Sequence, residues 1–320
     1  MRRRMNKIMA AMLIGAMTAS LALTGCGGKK SASKDGKKEL TVWAWDVALM
    51  QLEEAAEEYQ KDHPDVTFKF EEMGTDQIYK KLSTSLATGN GIADIIAIEG
   101  DVLVGYADKF PEGFLDVSDA INTDDFLASK IGEVSYKDKI HAFPWDAGPA
   151  AMFYRTDYFE QAGVNPEDIQ TWDDLIEAGK WSVMDLPKVD GGEYSVSNGG
   201  SDLTINAKTD YPDEAKDFVK FAMTDTKLQA SGFEKYGLYP SYIPSYEEEI
   251  FQKGDSFFGD TNIYEIFIEN GKNVAEIPIS PNAQEAGDSI GAAVSKIFLN
   301  GADVKSTMED LEDELTTKFK

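Results

Sequence analysis

A short apolar strand, LTVWAW at residues 40–45, begins the part of the chain that decides the fold. A helical pattern follows it and ends at His63-Pro64, after which residues 66–70 alternate as a second strand. A second helix ends at the Gly-Asn-Gly turn of residues 89–91, and ADIIAI at 93–98 is a third strand. The order β-α-β-α-β predicts a parallel sheet with helices on both faces and a ligand site at the carboxyl ends of its strands.

The single cysteine, Cys26, closes an apolar N-terminal stretch that starts with four basic residues. This order is typical of an export signal, and the run from Leu23 to Cys26 resembles the bacterial lipobox. The resemblance implies cleavage before Cys26 and acylation of its thiol, so that residues 1–25 are a signal peptide and 26–38 a flexible tether. A plain cleaved signal and a membrane-spanning anchor are the alternatives, but an anchor needs about 20 apolar residues and this stretch is shorter.

Composition excludes several classes of function. Removing residues 1–25 leaves 27 basic and 57 acidic residues, a net charge of −30, which argues against nucleic acid as a partner. Without a free cysteine the exported domain has no disulfide, and with only His63 and His141 it has no metal site of the Cys/His kind. We therefore expect no metal and no cofactor.

The second half of the chain breaks the pattern of the first. A strand is predicted at 150–154, and a capping box opens a helix at Thr171. That helix runs only to about Lys180 before a strand-like run starts at Trp181, with no turn signal between them. Further helices are predicted from Pro212 and near the C-terminus.

Six motifs in order carry a family resemblance. The motifs are TVWAWD at 41–46, AFPWD at 142–146, MFYRTDYF at 152–159, TWDDL at 171–175, WSVMDLP at 181–187 and SNGGS at 197–201. No single motif is decisive, but their order together with the lipobox is specific. On these motifs the chain resembles the extracellular solute-binding proteins of ABC sugar importers, in the maltose-binding-protein-like group called family 1, over most of its mature length.

The resemblance implies a periplasmic-binding-protein-like α/β clamp of two lobes, each a layered α/β sheet, joined by crossing segments. The first crossing would fall near residues 143–146, the second near 197–200 and a third near residue 250. The N-terminal lobe would be residues 39–143 plus 201–250, and the C-terminal lobe 144–200 plus 251–320. Family members carry roughly a hundred more residues after Lys180, so the C-terminal lobe is expected to be truncated. The resemblance also implies a monomer outside the cell that binds a carbohydrate, is held at the membrane by lipid on Cys26, and meets the membrane subunits of an ABC permease.

Two tryptophan-carboxylate pairs are the main candidates for ligand contacts. Sugar recognition uses a flat apolar face for the pyranose ring and polar groups for its hydroxyls. Trp45-Asp46 follows the first strand, and Trp145-Asp146 stands at the first expected crossing, which brings both pairs to the rim of the cleft. Trp43 lies two residues before Trp45 and either shares the cleft or packs beneath it.

Four further candidates have a structural alternative. Glu99 and Asp101 follow the third strand and could bracket sugar hydroxyls, although Asp101 could instead cap the next helix. Gly200 could let the backbone approach a ligand or could serve as a hinge at the second crossing. Tyr239 resembles a residue near the family's cleft, and core packing is its alternative role.

The predicted function is a non-enzymatic receptor that delivers a carbohydrate, taken to be an oligosaccharide, to an ABC permease. One alternative is a degenerate binding lipoprotein whose ligand binding has weakened or been lost, because a reduced clamp shields less of its ligand. Another is an exported glycosidase, which would need two carboxylates roughly 5–10 Å apart across a scissile bond. The sequence shows no glycosidase signature.

Overall fold

The centre of the molecule is a five-stranded sheet, in which the strands lie side by side in the order Val66–Glu72, Lys38–Ala44, Ile95–Glu99, Ser201–Ile205 and Ala142–Pro144. The computed structural model describes residues 36–163, 165, 181–184, 195–253, 256–258, 262–276 and 279–319. The lipidation candidate Cys26 and the segment around Lys180 lie outside the described residues. The strands are β1 (Lys38–Ala44), β2 (Val66–Glu72), β3 (Ile95–Glu99), β4 (Ser135–Tyr136), β5 (Lys139–Ile140), β6 (Ala142–Pro144), β7 (Met152–Arg155), β8 (Trp181–Met184) and β9 (Ser201–Ile205).

The three strands predicted from the first hundred residues are present and parallel. Leu40 of β1 is opposite Phe68 of β2, and Val42 of β1 is opposite Ile95 of β3. The apolar residues of β3 from Ile95 to Ile98 are fully buried, as expected for a parallel strand covered on both faces. The prediction of a layered α/β domain is thereby confirmed for this part of the chain.

Helices cover this sheet and continue to the C-terminus. The two predicted between the first strands are α1 and α2, and α2 ends at Gly89 in the left-handed conformation that glycine adopts without strain. The helices are α1 (Asp46–Tyr59), α2 (Thr75–Thr88), α3 (Gly100–Lys109), α4 (Ala128–Val134), α5 (Thr156–Ala162), α6 (Pro212–Thr224), α7 (Thr226–Tyr236), α8 (Glu249–Gln252), α9 (Ile263–Lys272), α10 (Ala283–Asn300) and α11 (Val304–Lys318).

The sheet as a whole is mixed, because a strand from later in the chain adds antiparallel pairs to the three predicted parallel strands. Strand β9 runs antiparallel to both β3 and β6, with Ala97 opposite Leu203 and Phe143 opposite Leu203 on its other side. The chain re-enters the sheet from the edge at which β3 and β6 leave it. Antiparallel pairing needs no crossover helix. Strand β9 lies beyond the first hundred residues, so the periodicity of that stretch does not predict it.

The described residues of the segment expected to build the C-terminal lobe contain little sheet. Among the described residues it contributes one antiparallel pair, β7 with β8, in which Met152 is opposite Met184. A second apolar cluster gathers Ala147, Tyr239, Tyr246 and Phe251 after the crossings. This architecture fits the predicted truncated lobe. In the part of the chain that the structure describes, no helix has both the length and the apolarity to cross a bilayer.

Candidate functional site

The candidate ligand residues follow strands that end at one side of the sheet, which we call the carboxyl edge. Strands β1, β3 and β6 all run in one direction, so Trp45, Glu99 and Trp145 follow them at the same edge. Strand β9 begins there, directly after Gly200. The backbone N–H of Ala147 donates to the carbonyl of Tyr239 at 2.7 Å, which brings the last candidate to the same edge.

Trp45 and Asp46 form the exposed turn between β1 and α1. Trp45 is partly exposed, and Asp46 is exposed. Asp46 has a φ of +25° and its carboxylate accepts a hydrogen bond from the backbone N–H of Val47. A non-glycine residue in this conformation carries backbone strain, and such strain concentrates at ligand sites. The pair therefore offers a partly open aromatic face beside a carboxylate.

Glu99 and Asp101 stand at the start of α3. The hydroxyl of Tyr79 donates to Glu99 Oε2 at 2.7 Å and accepts from the Glu99 backbone N–H at 3.1 Å, so Glu99 is held in place. Burial and the charge of Glu99 raise the pKa of Tyr79. Glu99 occupies the cap position and α3 has no side-chain cap bond, so Asp101 is exposed in the first turn rather than serving as the cap.

Three of the predicted aromatic contacts are buried, so no ligand reaches their rings in this conformation. Trp43 is 2% exposed, its indole N–H donates to Glu71 at 3.1 Å, and Lys81 Nζ lies 4.0 Å from its ring. Trp145 is 1% exposed and donates to Gln51 Oε1 at 3.1 Å. Tyr239 is buried in the second apolar cluster. For Trp145 this corrects the expectation of an open ring, because the ring turns toward α1 instead of the solvent.

Asp146 and Gly200 join the two crossings to each other. Asp146 Oδ1 accepts the backbone N–H of Ser201 at 2.7 Å. Gly200 has a φ of +112°, and a Cβ built on it would lie 2.4 Å from the carbonyl oxygen of Asp146. Both the conformation and the close approach require glycine. Gly200 therefore has a demonstrable packing role where the crossings meet, whereas no observation places it against a ligand.

A buried ionic cluster lies beneath this contact, and the sequence analysis missed it. Lys130 on α4 is fully buried, with its Nζ 2.6 Å from Glu133 Oε2 and 3.0 Å from Asp202 Oδ1. Asp202 is also fully buried in β9. Asp202 is the one charged residue in the stretch 201–205, and this position within a strand could have indicated a buried carboxylate. Lys130 is in a short helix whose sequence has no clear apolar pattern, so nothing local predicted its burial.

Burial and neighbouring charges set the ionisation of this cluster. Burial raises the pKa of Asp202 to about 7, since it outweighs the attraction of Lys130. Burial likewise raises the pKa of Asp146. Burial alone would lower the pKa of Lys130, but the charges of Asp202 and Glu133 leave that pKa above its ordinary value. Lys130 is thus a cation at neutral pH, held among carboxylates of which one can keep its proton.

A cavity of about 660 Å³ lies elsewhere, between α7 and the segment that holds α8 and α9. Residues from α7 such as Phe233 and Glu234 face Ile250 and Tyr264 across it. None of the nine candidate residues lines this cavity. The cavity also combines aromatic rings with carboxylates, but the candidate residues that follow the sheet strands meet at the carboxyl edge, which we therefore take as the candidate functional site.

A family model and two sugar-binding proteins match parts of the chain. Residues 54–192 match the family described as bacterial extracellular solute-binding protein. The lactose-binding protein of Rhizobium radiobacter is 38% identical over an alignment of 169 residues, and the match covers 48% of this chain and 40% of that protein. The arabinooligosaccharide-binding protein of Bacillus subtilis (strain 168) is 31% identical over an alignment of 181 residues, and the match covers 55% of this chain and 42% of that protein.

Solved structures share the fold at low sequence identity. An extracellular solute-binding protein of family 1 has a TM-score of 0.75 at 19% identity, covering 87% of this chain and 99% of that one. The ABC-transporter-associated binding protein of B. animalis subsp. lactis Bl-04, solved with β-1,6-galactobiose, has a TM-score of 0.68 at 20% identity, covering 87% and 97%. At these identities the likeness establishes the two-lobed α/β fold.

The matches span about two fifths of the length of the two sugar-binding relatives. The family description and the relatives' names are those of binding proteins, which supports the prediction that the chain is not an enzyme. Residues 54–192 are thus similar to the bacterial extracellular solute-binding proteins, and the chain has the α/β fold of solved maltose-binding-protein-like structures.

Proposed function

We propose that this chain is the lipid-anchored substrate-binding component of an ABC importer and captures a carbohydrate at the carboxyl edge. The observation that carries the proposal is the grouping of Trp45 with Asp46, Glu99 and Asp101 at that edge. A partly open indole can stack on the apolar face of a pyranose, and the carboxylates can accept hydrogen bonds from its hydroxyls. Relatives that carry sugar-binding names support the same ligand class.

Attachment to the membrane is part of the proposal. Acylated Cys26 would hold the domain on the outer face of the cell membrane, and residues 26–38 would let a monomer reach the permease. The net charge of −30 in the mature chain keeps the domain away from anionic lipid head groups. Mass analysis of the N-terminal peptide of membrane-extracted protein tests the anchor, because an unmodified Cys26 would contradict it.

The reduced second lobe favours weak binding. Among the described residues, the part expected to form that lobe contributes one two-stranded sheet, β7 with β8. A ligand at the carboxyl edge would then keep much of its surface in water, and less of its apolar face would be buried. We infer dissociation constants in the millimolar range, about −4 kcal/mol of binding free energy. This observation also favours the second candidate function, a degenerate lipoprotein that no longer serves uptake.

Calorimetric titration of residues 39–320 with oligosaccharides tests the proposed function. The panel should include lactose, an arabino-oligosaccharide and β-1,6-galactobiose, the sugars named for the relatives. We expect millimolar binding of at least one sugar, and at least a tenfold loss of affinity, about 1.4 kcal/mol, in Trp45→Ala because the stacking face is removed.

The control is Glu57→Gln, which removes an exposed carboxylate on α1 and should leave the affinity unchanged. Binding that persists unaltered in Trp45→Ala would show that the ligand binds elsewhere. The absence of binding to every sugar would favour the degenerate lipoprotein, and micromolar or tighter binding would contradict the idea that the reduced lobe weakens capture.

A further inference from the structure

The buried ionic cluster connects three separate segments of the chain. Lys130 and Glu133 are on α4, Asp202 is in β9 just after the second crossing, and Asp146 lies on the first crossing. Lys130 Nζ contacts Glu133 and Asp202 at 2.6 and 3.0 Å, and its charge also acts on Asp146. These four are the charged groups that act on Asp202 and on each other. The cluster therefore sits where the two crossings and α4 meet.

The contact between the crossings depends directly on one member of the cluster. Asp146 accepts the Ser201 backbone N–H at 2.7 Å, and Ser201 precedes Asp202 in the chain. Asp146 on the first crossing and Asp202 at the start of β9 therefore flank this hydrogen bond, one of several between the two crossings, which include the Asn198 N–H donating to the Gly148 carbonyl at 2.8 Å. A change in the repulsion between these two carboxylates acts on that hydrogen bond without any intervening element.

The cluster holds more carboxylates than cations. The charge of one lysine acts on three acidic groups, so complete ionisation would leave two negative charges in excess, with Asp202 fully buried and Glu133 and Asp146 partly exposed. Lys130 and Asp202 are fully buried, and neither carboxylate oxygen of Asp202 has an aligned hydrogen-bond donor among the described residues. Asp202 is the fully buried carboxylate of the cluster, so a proton on Asp202 removes the negative charge that burial disfavours most.

We propose that this cluster is a proton-controlled latch, in which a proton on Asp202 keeps the two crossings together and its loss loosens the contact between Asp146 and Ser201. The effect of the latch on lobe movement rests on the proposed function, because it requires that the crossings join the two lobes of a ligand clamp. Loosened crossings would let the lobes move more freely, so that acid outside the cell stiffens the clamp and alkali relaxes it.

The direction of the pH effect follows from the ionisation of Asp202. Burial raises the pKa of Asp202 to about 7 in the folded chain, above the ordinary value of about 4 for an unfolded one. The stabilisation from the buried proton is therefore fully present below about pH 4 and is lost as the pH rises through about 7. His141 does not produce the same profile, because burial lowers its pKa from the ordinary value.

Amide hydrogen exchange at Ser201, measured by NMR from pH 6 to 8, tests the latch without any sugar. After correction for the intrinsic exchange rate, we expect protection of the Ser201 N–H to fall about tenfold across this range in the unaltered chain. In Asp202→Asn, which keeps the shape and removes the titration, protection should not change with pH. Asp124→Asn, at an exposed position on another segment, is the matched control and should behave as the unaltered chain.

A second variant keeps the test decisive if Asp202→Asn does not fold. Glu133→Gln removes one negative charge beside Asp202 and should move the midpoint of the protection change to lower pH. Protection of the Ser201 N–H that stays constant from pH 6 to 8 in the unaltered chain would overturn the proposal. The proposal would also be overturned if protection in Asp202→Asn fell with pH as it does in the unaltered chain. Failure of sugar binding would leave these results untouched, so the two proposals can be rejected independently.

Discussion

Replacing Lys130 with methionine is expected to lower the free energy of unfolding by about 3–5 kcal/mol at pH 7. Methionine fills a similar volume but leaves Glu133 and Asp202 without the cation that lies 2.6 and 3.0 Å away. The loss of a partner from a fully buried pair costs far more than the loss of a surface pair. Urea unfolding followed by circular dichroism measures the difference.

The matched control is Lys80→Met, at a lysine on α2 whose side chain is 81% exposed and which pairs with Asp76 at 3.6 Å. We expect its effect to stay within about 0.5 kcal/mol. The double variant Lys130→Met with Asp202→Leu should recover part of the lost stability, because it removes the carboxylate that the single variant leaves unpaired. A loss below about 1 kcal/mol in Lys130→Met would contradict the described burial of the pair.

Replacing Gly200 with alanine should destabilise the chain by about 2–5 kcal/mol, the second large effect. An alanine at φ +112° carries backbone strain, and its Cβ would meet the Asp146 carbonyl oxygen at 2.4 Å. That oxygen belongs to the backbone and cannot rotate away, so the crossings must separate. Thermal and urea unfolding of the purified variant would measure the cost.

Gly199→Ala separates the two causes of this effect. Gly199 also has a positive φ, +93°, but nothing lies within 4 Å of a Cβ built on it. It should therefore show the strain alone, about 1–3 kcal/mol, and Gly200→Ala should be worse by a further 1–3 kcal/mol. Equal effects of the two variants would argue against the close approach of the crossings.

Periodicity along the chain was enough to predict the first half of the fold. Apolar runs in strands and apolar faces in helices are local patterns, and Val42, Ile95 and Ile96 are buried as those patterns require. The antiparallel strand β9 depends on how the chain returns after the crossings. That return is a long-range property, so a reading of neighbouring residues did not give its direction.

The position of the candidate site was more predictable than the exposure of its side chains. Strand ends fix where Trp45, Asp46 and Glu99 lie, because the carboxyl ends of parallel strands share an edge. Whether an indole at that edge faces solvent depends on packing against other elements. Trp145 finds a hydrogen-bond partner in Gln51 on α1, ninety-four positions away in sequence, and no local pattern announces such a pair.

The buried cluster could not be predicted for a related reason. Lysine and aspartate are ordinarily surface residues, and their burial becomes acceptable only when partners from several segments meet. Lys130 and Asp202 are 72 positions apart, and their contact exists only in the folded chain. Only the charge within β9 pointed to an unusual environment.

Binding of a carbohydrate at the carboxyl edge can be observed by following the indole N–H signals of the five tryptophans by NMR during a sugar titration. The partly exposed Trp45 should give the larger chemical-shift change, whereas Trp43 and Trp145, buried and hydrogen-bonded to Glu71 and Gln51, should change little. A saturable shift of the Trp45 signal is the predicted result. A saturating sugar that leaves the Trp45 signal unmoved would contradict the account.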